Sequence, residues 1–413
     1  MAYLSMGEAH RRITEFLDSF SDAVTKQDCS TLKQIFCLSS NSQSLLSLAD
    51  ALNVFQDTSR LMKQSEKYAQ FGDITSPLFR SLQSYRMGNL AETYNAFEKA
   101  ANAFLQEFRN WESGWALQVL YVIAYEIRVL AEKGDRELTL AKKSPEKLKG
   151  AGSFLMKVFG ALAGKGSKRV GALYITCQLF KIYFKLRTVH LCKSVIRSIE
   201  TAKIFDFEEF PRRDKVTYMY YTGRLEVYNE NFPAADIKLS YALKNCCSNS
   251  LPNIRMILKY LIPVKLSLGI LPKESLLHTY NLMEYAKVVR SLRMGDIRLL
   301  QNSLHESEDQ FLKSGVYLVL EKLELQVYQR LLKKIYMIQK QNDAVKAHQV
   351  KLEVIIQALQ WLEIEMDSDE VECIVAILIY KNLIKGYVAH KSKVLVLSKQ
   401  DPFPKLSGKP VNS

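Results

Sequence analysis

The strongest constraint on the fold is a short signal for the end of one helix and the start of the next, which occurs twice. The two segments are Arg86-Met87-Gly88-Asn89-Leu90 and Arg293-Met294-Gly295-Asp296-Ile297. Glycine tolerates the left-handed backbone that commonly follows the last turn of a helix. Asn can then cap the first turn of the next helix. The first signal is followed by Tyr94, Phe97 and Phe104 in a helical apolar pattern. These signals predict helical hairpins.

A second spacing predicts how the hairpins pack. Gly223 is followed by Ala235, Leu239 and Ala242, which are the offsets of a tetratricopeptide-like repeat. Small residues let antiparallel helices approach closely, and the large residue fills the space between them. Only 17 glycines and 10 prolines occur in 413 residues, which favours helices over a sandwich or barrel. Because such hairpins cannot bury their faces alone, they are predicted to stack as a solenoid.

The last quarter of the chain changes character. Helical segments are predicted at 316–338, with a break, then at 352–362 and 368–384, and short strands at 387–390 and 394–397. Asp367 and Glu370 form a predicted capping box at the start of the third helix. Helices followed by a small hairpin describe a winged helix. The predicted fold class is therefore mainly α, with a helical-hairpin (TPR-like) solenoid followed by a C-terminal winged-helix domain.

This pattern divides the chain into five parts. They are an N-terminal helical region (1–141), a basic Gly/Lys-rich insertion (142–170), a helical-repeat part (171–325), the winged helix (326–404) and a disordered tail (405–413).

The insertion differs from its surroundings in composition. Residues 142–169 hold eight Lys or Arg against the single Glu146, and six of the 17 glycines lie between 150 and 171. We expect a flexible basic segment with one short helix at 154–162. A phosphate-binding P-loop at 160–165 is disfavoured, because the spacing is one residue short and no Ser or Thr follows the lysine directly.

Charge and cysteine usage narrow the class of protein. A net charge of +14 suits nucleic acid, an anionic membrane surface or an acidic protein, but a solvated basic surface explains it as well. The longest charge-free, mostly apolar run holds 13 residues between Glu112 and Glu126, whereas a membrane span needs about 20. The seven cysteines include no CxxC pair, so reduced, buried thiols in an intracellular protein are expected.

No motif for catalysis, a metal or a cofactor is found, so a non-enzymatic protein without cofactor, metal or small-molecule substrate is expected. His190 and His278 are interpreted as packing or surface residues rather than ligands. The adjacent Cys246 and Cys247 are expected to be buried small side chains. The tyrosines at 218, 220 and 221 could stack bases, but core packing is favoured by the repeat pattern.

The best candidate site is the basic C-terminal set. Residues 381–413 hold seven lysines and one aspartate. We predict that five of them bind a nucleic-acid backbone: Lys381, Lys385, Lys391, Lys393 and Lys399. The alternative is a solvated edge whose lysines block strand pairing.

The predicted recognition helix opens with four acidic residues. They are Asp367, Asp369, Glu370 and Glu372. Because phosphates repel carboxylates, we predict backbone binding with little sequence preference and a marked salt dependence, rather than reading of the major groove.

Several strings resemble the PCI family, whose members carry a helical solenoid ending in a winged helix. The segment from Arg293 to Tyr336 and the string Ile384-Lys-Gly-Tyr-Val-Ala-His390 are typical of it. Four further strings are similar to the PCI subunit of the nuclear transcription-and-export complex 2, and together the similarity covers about 85–130 and 171–405. They are Gln178-Leu-Phe-Lys-Ile-Tyr-Phe-Lys185, His190-Leu-Cys-Lys193, Arg255-Met-Ile257 through Lys265, and Ser398-Lys-Gln-Asp-Pro-Phe-Pro404.

The resemblance implies a non-catalytic scaffold in the nucleus that couples transcription to mRNA export at the nuclear pore. It implies a large Sac-type scaffold subunit, a small acidic DSS/Sem-type subunit and nuclear pore components as partners, with no membrane partner. It also implies binding of RNA or DNA by paired winged helices. The alternative is a PCI subunit of a signalosome- or proteasome-lid-like assembly that binds only proteins.

Overall fold

In a computed structural model, the structure describes residues 4–55, 58–63, 65–163, 166–201 and 207–405. The chain divides into two compact units, residues 1–218 and 219–413. Most of the regular structure is helical, and a small sheet lies near the C-terminus, so the predicted mainly α fold is confirmed. The division falls inside the predicted repeat region, and the domain boundaries drawn from the sequence stay a prediction.

The first unit is built from helices. Its helices are α1 (Met6–Thr25), α2 (Cys29–Phe36), α3 (Gln43–Val54), α4 (Thr58–Lys63), α5 (Glu66–Ala69), α6 (Gly72–Arg86), α7 (Leu90–Asn110), α8 (Leu117–Leu140), α9 (Lys147–Leu162), α10 (Ala172–Lys185), α11 (His190–Thr201) and the start of α12 (Arg212–Tyr228). Between α6 and α7, Gly88 has φ +79°. Asn89 Oδ1 accepts a hydrogen bond from the Glu92 amide at 3.1 Å. The predicted stop-and-start signal is confirmed there.

Residues 147–162 form a packed helix, so the prediction of a flexible segment with a short helix is wrong for this part. Leu148, Phe154 and Leu155 are buried, and α9 packs against α8 and α10. Two of the glycines that suggested flexibility, Gly150 and Gly171, instead permit close packing. A Cβ added to Gly150 would lie 2.7 Å from the Tyr94 hydroxyl oxygen. Gly164 and Lys165, from the rejected P-loop, lie outside the described residues, as does the predicted tail beyond 405.

Several lysines of this segment hold neighbouring helices. Lys147 Nζ donates to Asn95 Oδ1 at 2.7 Å. Lys168 Nζ donates to the carbonyl oxygens of Phe108, at 2.8 Å, and Trp111, which caps the end of α7. Lys142, Lys143 and Lys149 are exposed. The segment therefore combines internal packing with a basic outer face.

The second unit continues the helical hairpins and ends in the small sheet. It holds the rest of α12, α13 (Phe232–Asn245), α14 (Leu251–Ser267), α15 (Glu274–Thr279), α16 (Ala286–Met294), α17 (Ile297–Glu306), α18 (Glu308–Ser314), α19 (Tyr317–Glu321), α20 (Glu324–Asn342), β1 (Gln349–Lys351), α21 (Leu352–Trp361), α22 (Ser368–Tyr380), β2 (Gly386–Ala389) and β3 (Val394–Leu397). A Cβ on Gly223 would lie 2.8 Å from Leu239 Cγ. Ala235, Leu239 and Ala242 are fully buried. The close hairpin packing predicted from their spacing is confirmed.

The tyrosine cluster packs inside its units. The Tyr218 ring is stacked against Phe180 with centroids 5.8 Å apart. Tyr220 is buried, with its ring centroid 6.0 Å from that of Tyr260. Core packing, the interpretation favoured from the sequence, is confirmed for these two side chains.

The structure tests the predicted burial of the cysteines and the predicted exposure of two histidines. Cys247 and Cys373 are exposed and Cys246 is half-buried, so the expectation of buried thiols is wrong for them. They lie at the end of α13 or on the outer face of α22, where packing does not require burial. His190 and His278 are both exposed, in agreement with the surface interpretation.

The winged helix is confirmed, with one strand more than predicted. The sheet order is β1-β3-β2 and both pairings are antiparallel, with Leu395 opposite Val350 and Val388. The strand β1 was missed because three residues with a single buried side chain carry too little periodicity. The segment predicted at 316–338 is broken into α19 and α20, and the third helix ends at Tyr380 rather than at 384.

Candidate nucleic-acid interface

The five predicted lysines lie at four places on the winged helix. Lys381 caps the C-terminal end of α22 and is exposed. Lys385 precedes β2, Lys391 and Lys393 lie in the turn between β2 and β3, and Lys399 follows β3. The antiparallel pairing of β2 with β3 brings Lys385 close to the segment that follows β3, because Ser398 N donates to Lys385 O at 2.8 Å. Lys391 and Lys399 are also exposed.

Lys393 is directed back toward the recognition helix instead of outward. Its φ of +50° ends the turn. Its Nζ lies 2.9 Å from Asp369 Oδ1 and 3.0 Å from Glu372 Oε2. Hydrogen bonds to these two carboxylates raise the pKa of Lys393. The Lys393 ammonium therefore joins the wing to the first turns of α22.

A second contact strengthens this connection. His390 Nδ1 lies 2.7 Å from Glu372 Oε1. Hydrogen bonds from Lys393 and His390 lower the pKa of Glu372. We call the set His390, Lys393, Asp369 and Glu372 the wing clamp.

The acidic start of α22 is thus partly satisfied within the domain. Asp367 accepts hydrogen bonds from the amides of Asp369 and Glu370, and the Glu370 carboxylate accepts one from the Asp367 amide. This is the predicted capping box, and it is confirmed. Asp369 and Glu372 belong to the wing clamp. Asp369 and Glu372 could reach base edges in the major groove only if the wing clamp opened. Binding of this domain to a nucleic-acid backbone stays a prediction.

Lys385 is tied to the chain that follows β3. Its Nζ lies 2.9 Å from Asp401 Oδ2, and its amide donates to Pro402 O at 2.9 Å. Phe403 is buried, with its ring centroid 5.7 Å from that of Tyr336 on α20. We call residues 398–405 the C-terminal strap. It returns along the domain, so Lys399 and Lys405 are carried on an ordered segment.

The structure also shows exposed aromatic residues that the sequence analysis missed. The exposed fractions are 83% for Trp361, 84% for Tyr380 and 63% for Tyr387. On α22, Cys373, Ile377 and Tyr380 lie on the exposed face, opposite the buried face. The apolar spacing of Cys373, Ile377 and Tyr380, outside the buried face of α22, could have revealed Tyr380. Exposed apolar surface of this kind commonly marks a protein contact.

Other classes of site are not suggested by the geometry. Within the described ranges, no group of three or more His, Cys, Asp or Glu side chains is arranged to hold a metal ion. Among the helices of those ranges, none is both long enough and apolar enough to cross a membrane.

Comparison with known proteins agrees with this architecture. A family model described as "PCI domain" matches residues 289–399, which include the end of the solenoid, α20 and most of the winged helix. The "Enhanced ethylene response protein 5" of Arabidopsis thaliana is 73% identical over the full length of both chains.

More distant relatives include one that carries the family's name. A "PCI domain-containing protein 2" from Xenopus laevis is 34% identical over 97% of this chain and 99% of that protein. A "Protein CSN12 homolog" from Mycosarcoma maydis is 32% identical over 78% of this chain and 77% of that protein. These matches support a PCI scaffold subunit, in a family whose members are generally non-catalytic. The chain therefore belongs to the PCI-domain family, together with the PCI domain-containing protein 2 relatives.

Proposed function

We propose that this chain is a scaffold subunit of a nuclear mRNA-export complex, and that its winged helix binds the nucleic-acid backbone without strong sequence preference. The observation that carries the binding proposal is the arrangement of Lys381, Lys391 and Lys399. These three side chains are exposed on one small domain, whereas Lys385 and Lys393 form ion pairs with carboxylates of the same domain. Flexible, exposed lysines suit phosphates, which carry charge but no sequence information.

The partners proposed are a large Sac-type scaffold subunit, a small acidic DSS/Sem-type subunit and nuclear pore components. Exposed Trp361, Tyr380 and Tyr387 support a protein contact on the winged helix, and the net charge of +14 supports an acidic partner. Location in the nucleus belongs to the same proposal. The name of the Arabidopsis relative concerns an ethylene response, so we propose that this chain also acts in an ethylene response.

Binding is tested by titrating fluorescent single-stranded RNA and duplex DNA with the full chain, alone and co-expressed with both partner subunits. The test variant is Lys391→Glu/Lys399→Glu, and Lys244→Glu/Lys313→Glu is the charge-matched control, since all four lysines are exposed. The variant should weaken binding at low salt, and the salt slope should fall by about 0.7 per lost single-strand phosphate contact. Equal losses in test and control variants would show that only net charge matters.

The wing clamp makes Lys393 unsuitable as a test residue. Lys393→Glu would place a third carboxylate beside Asp369 and Glu372 and open the wing clamp. Loss of binding in that variant would report a moved wing as much as a lost phosphate contact. Lys391 is the exposed lysine of the same turn and avoids this problem.

A second candidate function is a PCI subunit that acts only in protein–protein interaction, in a signalosome- or lid-like assembly. It is favoured by the CSN12 homolog among the relatives and by the exposed Ile377 and Tyr380 on α22. Tyr380→Ser should then abolish co-purification with a large subunit, while no nucleic-acid binding is measured in either context.

A further inference from the structure

A small cavity lies between α20, the turn after α14 and the C-terminal strap. Its volume is about 280 Å³. Its lining residues are Leu268, Gly269, Ile270, Gln329, Arg330, Lys333, Phe403, Pro404 and Lys405. We call it the strap pocket. All of its walls belong to the second unit, and none of its residues is among the five lysines predicted from the sequence.

The charges of the strap pocket are of one sign. Arg330, Lys333 and Lys405 contribute three cations, and the described lining includes no carboxylate. Arg330 and Lys333 are three residues apart on α20 and therefore lie on one face of the helix. Arg330 Nε donates to Arg293 O at 3.4 Å. This bond engages one edge of the guanidinium and leaves its two terminal amino groups for another acceptor.

The walls of the pocket are held in place before any ligand arrives. Gly269 has φ +78°, which lets the chain turn after α14 and present Ile270 to the cavity. On the other side, Phe403 is buried against Tyr336. A site whose walls are preorganised loses less entropy when it binds.

The strap pocket is continuous with the loop that carries predicted binding residues. Gln329 Nε2 donates to Leu383 O at 2.7 Å. Leu383 lies between Lys381 and Lys385, and Lys385 pairs with Asp401 of the strap. A backbone that contacts Lys381 would therefore pass beside the pocket.

We propose that the strap pocket binds a phosphate group through Arg330, Lys333 and Lys405. Guanidinium and ammonium groups together match the charge and the several acceptor oxygens of phosphate. This inference rests on the proposed function: the bound phosphate belongs to an RNA backbone. The RNA would then be anchored at the base of the winged helix rather than at the wing turn. A free polyphosphate offers the same chemistry and is the other source.

Titration of the full chain with two ligands distinguishes RNA from free polyphosphate as the source of the phosphate. Inorganic tripolyphosphate is titrated calorimetrically, and labelled single-stranded RNA is titrated by fluorescence anisotropy. The variants are Lys333→Glu and Arg330→Gln, with Lys333→Arg as the conservative change. Lys313→Glu, on α18, is the charge-matched control and is likewise exposed. Because Lys333 is exposed, its replacement is expected to leave the fold intact, which the helical circular dichroism checks.

Wild type and Lys313→Glu should bind tripolyphosphate, and Lys333→Glu should bind it at least about tenfold more weakly, the effect of losing one hydrogen bond to a charged group. Lys333→Arg should retain binding. A parallel loss of RNA affinity identifies the nucleic-acid backbone as the source. Pocket-dependent binding of tripolyphosphate without any RNA binding identifies free polyphosphate, and then the RNA part of the proposed function fails.

Other results overturn the inference. If Lys333→Glu leaves both ligands unaffected while Lys391→Glu weakens RNA, the pocket is not a phosphate site and the proposed function survives. Co-expression with the acidic subunit is measured as well. If Lys333→Glu binds both ligands as wild type does but no longer co-purifies with that subunit, the pocket binds protein carboxylates instead. If wild type binds neither ligand, both the inference and the nucleic-acid proposal are refuted.

Discussion

The two copies of the helix stop-and-start signal allow one energetic prediction to be isolated. Gly88 and Gly295 occupy the same place in Arg-Met-Gly-Asn and Arg-Met-Gly-Asp, and their φ angles are +79° and +70°. Their surroundings differ. A Cβ on Gly88 would meet nothing within 4 Å, whereas one on Gly295 would lie 2.8 Å from Leu331 N and 3.0 Å from Leu331 Cα.

Alanine at either position has to adopt a left-handed conformation, which costs about 1 to 2 kcal/mol. At Gly295 the added methyl group also meets the backbone of α20, which cannot rotate away as a side chain can. Overpacking of this kind typically costs about 1 to 3 kcal/mol more. We therefore expect Gly295→Ala to lower the free energy of unfolding by about 2 to 5 kcal/mol, and Gly88→Ala by about 1 to 2 kcal/mol.

The measurement is native-state hydrogen exchange on the full chain, because the two glycines lie in different units and a global transition would mix their effects. Amides of α16 and α20 report on Gly295, and amides of α6 and α7 report on Gly88. Equal losses of protection in the two variants would refute the reasoning, since the close approach to α20 would then cost nothing. A smaller effect at Gly295 than at Gly88 would contradict the packing itself.

Three further predictions concern the clamp, a buried carboxylate and the strap. Lys393→Met should speed hydrogen exchange in β2 and β3 because it removes the two ion pairs that Lys393 forms in the wing clamp. Lys391→Met should not, and equal effects would contradict the clamp. Glu126 is buried and accepts hydrogen bonds from the Ser39 hydroxyl at 2.5 Å and the Ser39 amide at 3.2 Å, and burial raises its pKa above the usual 4.5. Since the folded pKa is the higher one, the contribution of Glu126 to stability should be fully present below pH about 4.5 and be lost as the pH rises through the folded pKa. The difference in urea-unfolding free energy between wild type and Glu126→Gln should therefore change with pH in this direction, and a difference independent of pH would contradict the raised pKa. Phe403→Ala should release the strap, because truncating a buried Phe typically costs about 3 to 5 kcal/mol, and limited proteolysis should then cut near residue 400, whereas unchanged protection would show that Lys385–Asp401 holds the strap alone.

Much of the fold could be predicted because it depends on local signals. Glycine followed by Asn89 or Asp296 marked helix boundaries that the structure confirms through left-handed φ values and side-chain caps. The spacing from Gly223 to Leu239 predicted a close contact between helices, since a small residue opposite a large one is useful only in such a contact. The β2–β3 hairpin and the capping box at Asp367 followed from alternation and from a short motif.

The candidate site was predicted less completely, because the position of a charged residue in the sequence does not show in which direction its side chain extends. Lys391 and Lys393 are two residues apart in one turn, yet one is exposed and the other is paired with two carboxylates of α22. Arg330 and Lys333 lie far from the C-terminal lysines in sequence and line the strap pocket with Lys405. Composition could not bring these side chains together.

The sequence by itself therefore determined the helix boundaries at Asn89 and Asp296, the close hairpin contact at Gly223 and the family, because each depends on residues close together or on a fixed spacing. Only the tertiary structure decided that the Lys-rich segment contains the packed helix α9, that Val350 adds a third strand, and that Phe403 returns to Tyr336. These outcomes depend on long-range contacts, which form where apolar surface can be buried and charges can be paired. Burial and ion pairing are properties of the assembled chain, and the same residues carry neither until the helices meet.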